Sequence, residues 1–234
     1  MISESVSVII PAYNEEVNVR RVVQDTLKVI SSYAKNYEVI VIDDGSTDNT
    51  IKFLSSIRNK NLKIIRNKKN IGKTKTIIKG FELARGKIVS FIDADYQYDP
   101  RSLVPLIEKI QEGYELCVGN RRKRSDSLYR KFMSLGFNTF DRLMFGIKVQ
   151  DVNCGLKAIR KSSFRNIKLK YLNTGWFIDT ELLARYYKKD GKVTEVDIPH
   201  YERKNSESKV SAFKLALETL VYGTLLKFEM LFKR

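Results

Sequence analysis

Four short apolar runs rich in β-branched residues recur along the first half of the chain, each followed by a stretch of helical spacing. They are "VSVIIP" (6–11), "YEVIVIDDGS" (37–46), "LKIIRN" (62–67) and "KIVSFIDAD" (87–95). Between the first two, "EEVNVRRVVQDTLKVISSYA" (15–34) places Val19, Val22, Val23, Leu27 and Ile30 at helical spacing. "STDNTIKFLSSI" opens on capping residues, and Gly72 to Ala84 reads as a third helix. Strands alternating with helices at this spacing predict an α/β fold, a mostly parallel sheet flanked by helices with right-handed crossovers.

Further along, a helix is expected over about 101–112 and a strand over "YELCVGNR" (114–121). "VNCGLKAIRKSSF" reads as a strand pair or a strand plus turn, 177–191 as a helix stopped by Gly191, and "KVTEVDIPHYE" as a last strand. No repeat or linker divides the 234 residues. One domain over 1–210 is expected, followed by an amphipathic C-terminal helix over 211–234.

Ligands in parallel sheets bind beyond the carboxyl ends of the strands. Three of those ends carry polar clusters: Pro11-Ala12-Tyr13-Asn14-Glu15, Asp43-Asp44-Gly45-Ser46 and Asp93-Ala94-Asp95. The fold would bring them to one edge. Asp93 and Asp95 repel each other unless a cation neutralises them, and Mg²⁺ or Mn²⁺ carrying a diphosphate does so. In an extended segment Asp93, Asp95 and Gln97 share one side. Asp99 instead suits the cap of the helix that Pro100 begins. Asp44 at its strand end reads as an acidic turn or as an acceptor for a nucleobase or ribose. No glycine-rich phosphate loop follows the first strand, so a metal has to carry the diphosphate charge.

The formal charge is +16, from 43 Lys/Arg against 27 Asp/Glu. Nucleic acid, anionic headgroups and phosphorylated substrates all fit such a balance. The acidic strand ends speak against nucleic acid, because they repel phosphate where the cleft lies. Two cysteines, Cys117 and Cys154, exclude a disulfide scaffold and suit a reducing cytosol. The N-terminus lacks a basic leader region, and no stretch approaches a membrane span, so a cytosolic or peripheral protein is expected. Two segments carry apolar faces with basic flanks: 128–147, with Phe132, Phe137, Phe140, Met144 and Phe145, and the tail, with Phe213, Leu217, Leu220, Leu225, Phe228, Leu231 and Phe232. Such faces lie in an anionic interface or pack on the domain or on a second copy of the chain, which leaves a homo-oligomer open. His200 reads as a structural or surface residue.

"VSVIIPAYNEE", "VIVIDDGSTDNT", "IVSFIDADYQYDP" and "GNR", in this order, resemble a family 2 glycosyltransferase of GT-A fold, across nearly the whole chain. In the second half, "SLYRKF", "DVNCGLKAIRK" and "GWFIDTELLARYYKKDGKVTEVDIPHYERKNSESKV" resemble the dolichol-phosphate mannose and dolichol-phosphate glucose synthases, which are polyprenyl-phosphate glycosyltransferases. The resemblance implies inverting transfer of one hexose from UDP-glucose or GDP-mannose to a polyprenyl or dolichyl phosphate at the cytoplasmic face of a membrane. It implies that Pro11, Tyr13, Glu15 and Asp44 hold the nucleoside, with Ile42, Asp93 and Ala94 beside it. Asp93, Asp95 and Gln97 would serve Mg²⁺ or Mn²⁺, and Arg121, Arg130, Arg203 and Lys209 would hold the acceptor phosphate. Asp95, Arg121, Arg130 and Asp179 would carry the reaction.

A phosphate monoester is already anionic near neutral pH, with a second pKa of about 6, and needs cations rather than a base. A sugar hydroxyl acceptor, on a polysaccharide or glycolipid, would instead demand a carboxylate base. Asp179 is then the candidate and Asp151 the second.

Overall fold

The computed structural model describes residues 1–122, 128–174, 177–202 and 212–232, with 128–133 and 212–216 described by backbone only. Seven strands form one sheet in the order β3-β2-β1-β4-β6-β5-β7. They are β1 (Val6–Ala12), β2 (Tyr37–Asp43), β3 (Leu62–Arg66), β4 (Ile88–Phe91), β5 (Leu116–Asn120), β6 (Lys157–Arg160) and β7 (Val193–Asp197). The helices are α1 (Val19–Tyr33), α2 (Thr50–Ser55), α3 (Lys73–Leu83), α4 (Leu103–Gln111), α5 (Leu128–Phe145), α6 (Lys161–Phe164), α7 (Phe177–Lys188) and α8 (Ala212–Phe232).

β1, β2, β4 and β5 read as near-continuous apolar runs because helices cover both faces of the sheet, and Val8, Ile9, Ile10, Ile40, Ile42 and Ile88 are fully buried. Each such side chain contributes about 1.5–3 kcal/mol by leaving water. The edge strands β3 and β7 are only half-buried. α1 lays Val19, Val22, Val23, Leu27 and Ile30 on the sheet, the five positions its sequence spacing marked.

The sheet is mostly parallel, as expected, and β6 runs antiparallel to both β4 and β5, with Phe91 opposite Lys157 and Ile88 opposite Arg160. β6 therefore opens, rather than closes, at the edge where β4 ends. Two local expectations need correction. Helix α1 begins at Val19 and not at Glu15: the Glu15 carbonyl accepts from the amides of Asn18 and Val19, and the Glu15 amide donates to Thr50 Oγ1 at 2.9 Å. β4 ends at Phe91, and the chain then turns, with Tyr96 in the left-handed region (φ 60°). Asp93, Asp95 and Gln97 are thus not aligned by strand alternation.

Candidate active site

The ends of β1, β2 and β4 do meet at one edge. β1 and β2 are in register through Pro11 opposite Ile42 and Ala12 opposite Asp43, and the Asp44 amide donates to the Ala12 carbonyl. Beyond β1, Asn14 adopts φ 53° and locks the loop to the turn after β2: its amide donates to Ser46 Oγ, and its side-chain oxygen accepts from the Thr47 amide. Tyr13 and Glu15 sit half-buried on this braced loop. Ile42 and Ala94 are core residues.

Asp43 is fully buried, with Arg66 Nε 3.1 Å from Oδ2 and the Ser46 amide on Oδ1. Asp44, almost fully buried, accepts three hydrogen bonds from one loop: Asn67 Nδ2 (2.8 Å) and the Ile71 amide (3.0 Å) on Oδ1, and the Gly72 amide (2.9 Å) on Oδ2. Gly45 lets that loop close. Its φ is +73°, and a Cβ there would stand 2.7 Å from the Lys69 carbonyl carbon.

The next residue, Lys73, opens α3 and pairs with Asp93, Nζ to Oδ1 at 2.6 Å. A cation in the first turn opposes the helix dipole. Burial pulls the Lys73 ammonium down, yet the carboxylates of Asp93, Asp179 and Asp95 hold it above the usual lysine range. Asp93 Oδ2 leans on Gly155, where any Cβ would come within 2.3 Å of it. Asp95 accepts from the Gln97 amide (3.1 Å) and lines a cavity of ≈ 310 Å³ with Asn18, Arg21, Tyr96, Asp99 and Tyr201. The Gln97 carbonyl accepts from the Tyr201 amide. Asp99 caps the 3₁₀ turn Pro100–Ser102 through the Arg101 amide, as its position before Pro100 predicted.

The other side of the site is built on β6, β5 and α7. Lys157 is fully buried; its ammonium pairs with Asp179 (2.7 Å), donates to the Cys154 carbonyl and lies over the Phe91 ring. Arg121 grips Asp151 with two contacts, Nε to Oδ2 at 2.6 Å and Nη2 to Oδ1 at 2.7 Å. Tyr98 is buried behind Gly155, whose amide donates to its hydroxyl, and burial pushes that phenol well above the ordinary tyrosine range. Its ring meets His200 edge to face, so His200 is packed structurally. Cys117 and Cys154 are buried thiols pushed up to about 12 and about 11, inert as nucleophiles.

Asp93, Asp95, Asp179, Arg121 and Asp151 are all described; Arg203 and Lys209 lie outside the described residues, as does the side chain of Arg130. Lys73 and Lys157 escape sequence reading. The one signal for Lys73 was its place in the first turn of a helix that has no acid there.

The carboxylates of Asp93 and Asp95 and the side-chain oxygen of Gln97 are oxygen donors only, the kind a hard cation takes. Among the described residues no three His, Cys, Asp or Glu converge as a ready cage. Mg²⁺ fits regardless, because it keeps several waters and needs only one or two carboxylates plus substrate phosphates.

The chain is 33% identical over 213 residues to the undecaprenyl-phosphate 4-deoxy-4-formamido-L-arabinose transferase of Proteus mirabilis (strain HI4320), covering 90% of this chain and 64% of that protein. A protein of the same description from Shewanella sediminis (strain HAW-EB3) is 33% identical over 214 residues, with 90% and 63% covered. The chain thus spans less than two thirds of the length of these curated relatives. Glucosyl-3-phosphoglycerate synthase from Mycobacterium tuberculosis, solved with Mn²⁺, uridine diphosphate and glucosyl-3-phosphoglycerate, shares the fold at 20% identity and a TM-score of 0.73 over 96% of this chain and 80% of that one. The same enzyme with Mg²⁺ and uridine diphosphate gives a TM-score of 0.72 at 21% identity, over 96% and 79%. These neighbours confirm a GT-A-like arrangement of the sheet. Residues 7–168 match the family described as "Glycosyl transferase family 2", a span holding all three acidic strand ends and the Arg121–Asp151 pair, and the chain belongs to that family.

Proposed function

We propose that the chain transfers one hexose from a nucleotide-sugar, UDP-glucose or GDP-mannose, to a polyprenyl phosphate in a single displacement with inversion. The nucleoside lies over the ends of β1 and β2, against Pro11, Tyr13, Glu15 and the turn that Asp44 organises. Asp93, Asp95 and Gln97 hold Mg²⁺ or Mn²⁺, which when bound neutralises the leaving diphosphate. Arg121 and Arg130, with Arg203 and Lys209, hold the acceptor phosphate.

The observation that carries this reading is the pairing of both candidate bases, Asp179 and Asp151, with cations. Asp179 is held by the buried ammonium of Lys157, and Asp151 by Arg121. Neither is placed as a base seeking a proton. An acceptor that already carries its charge needs none, whereas a sugar hydroxyl does. The undecaprenyl-phosphate acceptor in the relatives' description agrees with that choice.

α8 supports attachment to a membrane surface, which in this reading is the cytoplasmic face. Two of its charged residues turn inward: Lys227 donates to the Met144 carbonyl, and Glu229 pairs with Lys170 and Arg185. The exposed residues from Leu217 to Phe232 are apolar except Thr224, among them Leu220, Val221, Leu225, Phe228 and Leu231. A helix with apolar residues outward and charges inward suits an interfacial position. No helix among the described residues is long and apolar enough to cross a membrane.

The experiment is a product assay. Purified chain, labelled UDP-glucose or GDP-mannose, and the 4-deoxy-4-formamido-L-arabinose nucleotide for comparison are offered undecaprenyl and dolichyl phosphates with Mn²⁺ or Mg²⁺. A lipid-phosphate product of one added sugar is expected. Transfer to a saccharide hydroxyl with the lipid phosphates untouched would overturn the acceptor assignment.

A further inference from the structure

Two carboxylates at the donor edge are satisfied by one short segment. Asp44 accepts from Asn67, Ile71 and Gly72, and the next residue, Lys73, sits on Asp93. The segment is pinned between these points. Lys79 Nζ holds Asn67 Oδ1 at 2.6 Å, the Asn67 amide bonds the Asp43 carbonyl, and Gly45 gives the backbone of Lys69 and Asn70 room to lie on the end of β2. Thr74 Oγ1 donates to the Thr174 carbonyl, which fixes the start of α3 beside the turn leading to α7.

We propose that Asn67–Lys73 is a strap through which Asp44 sets the charge of the Asp93 site: Asp44 folds the strap, and Lys73 at its end is the counter-ion that Asp93 keeps until a divalent cation takes its place. Asp44 is then a positioning residue that acts through Lys73. The inference rests on the metal reading given above. Its consequence is that a free cation enters the site only by exchange against an ammonium, so the metal binds weakly alone. Lys73 Nζ stands 2.6 Å from Asp93 Oδ1, and its side chain is 38% exposed, so it has room to leave.

The test measures binding of Mn²⁺ alone by the loss of its free paramagnetic signal, in the wild type, Lys73→Met, Asp44→Asn and the double variant. Lys73→Met removes the competitor and should bind Mn²⁺ about fivefold more tightly, the size expected for a partly exposed ion pair. Asp44→Asn should shift affinity in the same direction, and the double variant should match Lys73→Met, because both changes act through one lysine. Melting curves establish that each variant is folded. Lys73→Met with wild-type affinity, or a further gain in the double variant, overturns the strap. Parallel titrations with UDP and with GDP separate the two failures. Mn²⁺ that binds with nucleotide but ignores Lys73→Met sinks the strap alone. No Mn²⁺ binding under any condition sinks the metal reading and the strap with it.

Discussion

Arg121 and Asp151 close on each other in a two-pronged ion pair, with side chains 9% and 6% exposed. Such a pair is costly to break from one side, because the survivor stays buried and charged. Arg121→Gln should lower stability by about 3–5 kcal/mol, and Asp151→Asn by a similar amount, both read from urea melts. Arg121→Lys keeps the charge but not the fork. It should retain most of the stability while kcat/KM for the lipid phosphate falls about a hundredfold. Equal losses in stability and turnover for both Arg121 variants would assign the residue to folding alone.

Lys157 offers the complementary case. Its ammonium is fully enclosed and answers to Asp179 and the Cys154 carbonyl. Lys157→Met keeps the length of the stem and removes the charge, leaving Asp179 without its partner. Stability should fall by about 3 kcal/mol at pH 7. Lys157→Met, Asp179→Leu should recover much of it, a coupling that a double-mutant cycle reads directly.

Stability should also depend on pH through Asp141. This α5 carboxyl is fully buried, takes one hydrogen bond from Thr180 and has no partner for Oδ1. Burial, helped by the nearby Asp179 charge, raises it from 3.8 to about 7. Between these values the folded chain holds a proton that the unfolded chain has lost. Stability therefore falls as pH rises from about 4 to about 7, by on the order of 4 kcal/mol at most. Asp141→Asn should flatten that slope in melts taken across the window, and an unchanged slope would remove Asp141 as its source.

Placing Lys at Leu225 and Phe228 probes the outward face of α8. Both side chains are more than half exposed, so the melting temperature should move little. Binding to vesicles of mixed neutral and anionic lipid, measured by co-sedimentation, should drop about tenfold or more, because two buried apolar side chains contribute about 1.5–3 kcal/mol each. Unchanged sedimentation would remove the membrane from this face.

The meeting of the polar ends of β1, β2 and β4 was largely legible in the sequence. Buried parallel strands announce themselves by β-branched runs, and an acid directly after such a run lies at the ligand edge whatever the details of packing. Asp99 was legible for the same local reason: the residue before a helix-opening proline is a cap. The side built on β6 and α7 was not. The direction of β6 is set by its partners, not by its four residues, so "KAIR" carries no mark of reversal. Lys157 reads as surface by composition and is buried only because Asp179, distant in sequence, folds onto it. Lys73 likewise counts toward a basic exterior until the fold brings Asp93 beside it. The extended geometry expected for Asp93, Asp95 and Gln97 failed because the chain leaves the sheet at Phe91.

The reversal of β6 also separates the two halves as engineering parts. The polar clusters after β1, β2 and β4 hang from strand ends, so their spacing is tied to the sheet. Lys157 hangs from a strand's beginning, at the close of the 146–156 connection that also carries Asp151 and Gly155. That connection can change length, provided Gly155 stays against Asp93, without shifting the ends of β1, β2 and β4 along their strands. In a chain of this topology the two sides of the cleft can vary separately, one through a loop and the other only through the sheet.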